Sequence, residues 1–226
     1  MSGAAEFDRG AAVTRSLLGW GVVAGPFYLG LGVVLALTRP DFSLTRDALS
    51  LLLLSELGWL HALNLVLSGL MSVAAAVGLA RTPRMPRAVA VLVGLYGTCL
   101  VLSAAFPPDP SEHYPPGAGG GELTAAGMGH LALGAVGFLG MAAAAVVAGG
   151  WFARGGSGAA AWSRLAGVVI AVAFVAGAAL AARPAGVGLI WLAVLVTWAW
   201  LAAVSVAAYR AVPHPDIARR GGERGS

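Results

Sequence analysis

RDALSLLLLSELGWLHALNLVLSG, residues 46–69, joins two kinds of sequence that rarely meet. From Leu57 to Ala80 no charged residue occurs, and about 20 mostly apolar residues suffice to cross a bilayer as a helix. The first half sets Arg46, Asp47, Ser50 and Glu56 directly before that run, and His61, Asn64 and Ser68 lie within it. An ionisable group at membrane depth costs roughly 3 kcal/mol or more unless paired or hydrated, so such groups mark candidate sites. The stretch therefore predicts a membrane-spanning fold and places its polar centre. His61, Asn64 and Ser68, spaced i, i+3 and i+7, share one helix face.

Moving outward from it, charge-free intervals recur at 16–38, 88–108, 123–153, 165–182 and 184–209. Only 11% of residues are charged and mean hydropathy is +0.83, against roughly 25% charged in soluble domains. The expectation is an all-α, polytopic, six-helix transmembrane bundle. Its spans fall near 16–37, 57–80, 86–106, 125–150, 160–182 and 187–210, with a polar tail over 1–12 and a basic, disordered tail over 211–226. Pro26 predicts a kink in the first span. The leucine-rich segment Asp47–Leu54 reads as an amphipathic stretch lying in the interface. Pro107 and Pro108 stop the third span, and the Pro/Gly-rich residues 107–122 form an exposed loop.

All fourteen basic residues are arginine. With the N-terminus inside, eleven fall on the cytoplasmic side and only Arg39, Arg46 and Arg183 on the other, a strong positive-inside bias. Both termini are expected in the cytoplasm of a cell-membrane protein. The first apolar run exceeds the roughly 7–15 residues of a signal-peptide core, so it is expected to remain as a span. The sequence pI near 10.0 does not imply nucleic acid, because the arginines are scattered and lack interleaved aromatics. The absence of lysine excludes a Schiff-base pigment, and the single Cys99 excludes an internal disulfide or a cysteine metal cluster. His61 and His130 both open helices on one side, a geometry conceivable for bis-His haem. Without the usual His-rich pairs, no metal or cofactor is expected.

Under this topology the first outer loop, the second outer loop and the starts of helices 2 and 4 meet at one membrane level. The candidates for acid–base chemistry there are Asp47, Asp109 and His130. The candidates for ligand binding are Arg46, Ser50, Glu56, His61, Asn64 and Ser103, with Arg46 suited to an anionic headgroup. The same residues also suit a purely structural polar knot, with side chains holding helices together. Two functions are weighed beside the knot. One is an outward-facing pocket for a lipid or other hydrophobic small molecule. The other is an embedded acid–base enzyme acting on an isoprenoid or lipid. A transporter is disfavoured, since the last two helices offer little beyond Thr197 and Ser205 as a polar route. The expected partners are the bilayer and the hydrophobic ligand.

Three short motifs occur in order: Arg46-Asp47-Ala48-Leu49-Ser50-Leu51 followed by Trp59, Asn64 and Gly69; Ala104-Ala105-Phe106-Pro107-Pro108-Asp109-Pro110; and Gly129-His130. Over about residues 15–210 the chain resembles the six-helix integral membrane family catalogued as domain of unknown function 998. The resemblance implies six spans with the motif residues on one side, and it singles out Asp47, Ser50, Asn64, Asp109 and His130. It implies no reaction. A looser similarity to six-helix lipid-associated membrane proteins implies a lipid ligand by analogy.

Overall fold

The computed structural model describes residues 7–120, 123–155 and 158–216. They form six α-helices: α1 (Arg9–Leu37), α2 (Gly58–Ala80), α3 (Arg87–Ser103), α4 (Ala125–Ala153), α5 (Ala159–Ala179) and α6 (Pro184–Ala211). Five are long and apolar enough to cross a membrane. α3 has 17 residues, about 25 Å at a rise of 1.5 Å per residue, and is wedged between α2 and α4.

Each helix packs on its neighbours in sequence, and α6 closes back onto α1. The result is a ring. The ring is laced where its first and last helices meet. The Arg15 guanidinium donates to Val212 O at 3.1 Å and lies 4.0 Å from the centre of the Tyr209 ring, while Asp8 N donates to Pro215 O at 3.3 Å. α1 starts at Arg9, earlier than the charge-free interval suggested, because Asp8 Oδ1 accepts the free Ala11 N–H at 2.9 Å and caps it. Of the tails expected over 1–12 and 211–226, residues 1–6 and 217–226 lie outside the described residues, while residues 9–12 belong to α1 and Ala211 ends α6.

The outer surface is apolar. Val91, Trp162 and Val172 are each more than 60% exposed, the arrangement of a bundle whose solvent is lipid. With lipid outside, burial of apolar area gives little drive for helix association, so close backbone approach matters more. At the α2–α3 crossing a Cβ on Gly69 would fall 2.5 Å from Gly97 O, and one on Gly97 would fall 2.6 Å from Gly69 O.

One element departs from expectation. Asp47–Leu54 is not a free-standing amphipathic stretch. Leu49–Leu54 forms a 3₁₀ helix with Leu49, Leu51 and Leu52 buried, packed against α1 and α2. Five of its six residues are leucine, which leaves no polar face for headgroups, so it folds into the bundle.

Candidate functional site

At the end where α1, α3 and α5 finish and α2, α4 and α6 start, the ring encloses two adjoining cavities. The inner one, about 270 Å³, is lined by all six helices and the 3₁₀ segment. Its walls are Leu65, Leu100, Phe138, Phe174, Ile190 and Trp191, with Tyr28 and Tyr96. These aromatics form a connected layer: Phe138 stacks on Phe174 at 4.7 Å, Tyr96 meets Phe138 at 5.9 Å, and Trp198 bridges Tyr28 and Tyr96 at 5.3 and 5.6 Å. The outer cavity, about 520 Å³, has walls that are also largely apolar but carry Arg46, Asp109, Glu112, His113 and Arg183. Ala48, Ser50, His130, Leu131, Ala181 and Ile190 line both. They form the neck between an apolar chamber and a charged vestibule.

His130 at that neck is oriented by the chain before it. α3 ends at Ser103, so the carbonyls beyond it lack helical donors. One of them, Phe106 O, lies 2.7 Å from His130 Nδ1. A carbonyl can only accept, so Nδ1 carries a proton toward Phe106 O. A Cβ on Gly129 would sit 2.8 Å from the Phe106 ring, so glycine is what lets loop and helix approach.

Asp109 secures the same junction. Its carboxylate accepts Thr124 Oγ1–H at 2.6 Å and Thr124 N–H at 3.2–3.3 Å, and Thr124 Oγ1 accepts Gly127 N–H at 3.0 Å to cap α4. A negative charge at a helix N-terminus also meets the positive end of its dipole. Gly127 packs directly against that carboxylate. The loop is anchored at its middle by buried Tyr114, set edge-on to Phe42 at 5.1 Å. Burial pushes the Tyr114 phenol above its ordinary pKa.

Of the nine residues singled out from sequence, Arg46, Ser50, Ser103, Asp109 and His130 line these cavities. Asp47, Glu56, His61 and Asn64 line neither. Asp47 is fully buried and closes a turn: Oδ2 accepts Ser43 N–H at 2.8 Å, and Asp47 N donates to Ser43 O at 2.8 Å. Glu56 is exposed. Asn64 donates to Tyr28 O at 3.0 Å and accepts Ser68 Oγ–H at 3.4 Å, a seam between α1 and α2. The shared face of His61, Asn64 and Ser68 is buried and serves helix packing.

His61 is the exception within that seam. It is fully buried 6.2 Å from the Tyr28 ring, and neither ring nitrogen has a hydrogen-bond partner. A buried unpartnered polar group costs about 1–3 kcal/mol. His61→Leu is therefore expected to leave the melting temperature unchanged or raise it, as read by thermal unfolding in detergent. A clear loss of stability would mean that the imidazole has a partner.

Sequence reasoning missed Tyr28, Phe138, Phe174 and Arg183 as site residues. The aromatics carry no local signal that separates a chamber wall from ordinary span composition, and Arg183 read only as a topology marker. Trp191 is held in the wall by its Nε1–H, which donates to Leu44 O at 2.9 Å.

A closed ring of apolar helices with a chamber opening at one end defines a polytopic helical membrane protein. The chain belongs to the family described as Protein of unknown function (DUF998), which matches residues 22–207. That span contains all three motifs, and the structure explains two of them together: Phe106, Asp109, Gly129 and His130 are the parts of one loop-to-helix clasp. No curated protein and no solved structure matches the chain.

Proposed function

We propose that the protein binds a lipid or other amphiphilic small molecule, without chemical turnover. Its polar end would occupy the vestibule on the outer face of the cell membrane, and its apolar body would fill the chamber. The observation that carries this reading is the neck: one set of residues borders both an apolar, aromatic chamber and a charged vestibule. The two volumes, about 270 and about 520 Å³, suit a small-molecule site, which typically spans roughly 300–1,000 Å³. Among the described residues the hydroxyls of Ser50, Tyr28 and Tyr96 make no hydrogen bond, although all three residues line the chamber. They offer an occupant its polar anchors.

The enzymatic alternative draws less support. Asp47 borders neither cavity, and the Asp109 carboxylate is engaged by Thr124. No acid–base pair therefore faces the chamber from those positions.

Gly134 provides the test. It lines the chamber, and a Cβ there would meet Phe174 at 3.6 Å, an ordinary contact. The backbone tolerates a side chain whose bulk then fills the cavity. Gly134→Phe in nanodiscs is expected to abolish saturable photolabelling of the chamber helices by a diazirine-bearing long-chain alcohol, with little change in melting temperature. Undiminished labelling would place the ligand elsewhere.

A further inference from the structure

Resting on that reading, we infer that the vestibule selects an anionic head, a carboxylate or phosphate, through Arg46 and Arg183. The two arginines come from distant parts of the chain, before the 3₁₀ segment and immediately before α6, yet both line the vestibule. Arg39 is the only other arginine in the segments at this end of the ring. Among the described residues the one ion pair is His214–Asp216, so neither vestibule guanidinium has a described carboxylate within salt-bridge distance.

The acids facing the same space are Asp109 and Glu112, and His113 and His130 are the remaining titratable groups. Asp109 is turned to the start of α4 and accepts from Thr124. Among the described residues that leaves Glu112 as the acid opposed to two cations. α6 also starts at this wall, with Pro184 and Val187 lining it and no acidic residue in its first turn, so the positive end of its dipole adds to the field. A guanidinium offers a fixed fork of donors that matches carboxylate and phosphate oxygens.

The chamber below limits what the anion carries. At roughly 30 Å³ per water molecule, about 270 Å³ equals on the order of nine waters. That suits one chain or a compact ring system. The ligand class is therefore a single-chain or compact anionic amphiphile, its charge at Arg46 and Arg183 and its apolar body past His130.

The test uses the full chain in nanodiscs with two diazirine probes, dodecanoic acid and dodecanol, and reads saturable labelling of the chamber helices. The acid is expected to half-saturate at about tenfold lower concentration than the alcohol. Arg46→Gln/Arg183→Gln is expected to remove that gap while the alcohol still labels, which also shows that the variant is folded. Should the double variant fail to fold, raising the salt concentration with wild-type protein serves instead: it must weaken the acid and spare the alcohol. Equal labelling by both probes, indifferent to the arginines and to salt, would overturn the anion assignment and leave the chamber reading intact. Saturable labelling by neither probe would overturn the chamber reading and the assignment with it. Displacement of the acid by acetate or inorganic phosphate at matched concentration would show a free-anion site and overturn the amphiphile.

Discussion

Gly69→Leu is expected to prevent accumulation of folded protein, whereas Gly30→Leu on α1 should be close to neutral. The difference lies in what each new Cβ meets. At Gly69 it would fall 2.5 Å from Gly97 O and 2.7 Å from a Val101 methyl, and at Gly30 it would meet nothing within 4 Å. The obstacle at Gly69 is backbone, which cannot rotate aside, so α2 and α3 must separate along the crossing. α3 is the shortest helix of the ring, and apart from α2 it packs on α4 alone. Overpacking usually costs about 1–3 kcal/mol. Here the upper end or beyond is expected, because the pair is reciprocal and helix association in lipid rests on close packing. Monodisperse yield by size-exclusion chromatography and the melting temperature check it. Equal behaviour of the two variants would show that the crossing can relax.

Asp109→Ala comes second. It removes the acceptor for two donors of Thr124, one at 2.6 Å, and unfastens the loop from the start of α4. Hydrogen bonds to a charged group contribute about 1.5–3 kcal/mol. The site is partly exposed and screened, so roughly 1–2 kcal/mol is expected. Faster hydrogen exchange should be confined to the loop after α3 and the first turn of α4. Asp109→Asn keeps one acceptor oxygen and should lose less. Gly127→Ala attacks the same clasp from the other side, since its Cβ would overlap the carboxylate. The double variant Asp109→Ala/Gly127→Ala should therefore be no worse than Asp109→Ala alone, the sub-additivity expected of residues in contact. Strictly additive losses, or exchange rising throughout the ring, would refute a local clasp.

The helices were legible because charge is rare and each charged or Pro/Gly-rich break costs a span its continuity. The start of α1 was not, since its first turns run past two arginines once Asp8 caps them. The Asp47–Leu54 segment misled for a related reason: the charged residues at its start suggested an interface, while its leucines drive burial. Within the site, polar residues were visible against an apolar background, so Arg46, Ser50, Ser103, Asp109 and His130 could be picked out. Their neighbours could not be separated from them by sequence alone. Asn64 and Asp47 satisfy backbone groups, a role that the same residue types fill as readily as ligand binding. The chamber walls are silent in sequence because Tyr28, Phe138 and Phe174 differ from other span residues only in what faces them across the ring.

Ring closure bears on how the chamber comes into being during synthesis. Ile190, Trp191 and Val194 supply one of its walls, and α6 alone joins α5 back to α1. Until that helix leaves the ribosome and enters the bilayer, the aromatic interior lacks this wall. The chamber wall is thus completed only by the last of the six helices to be made.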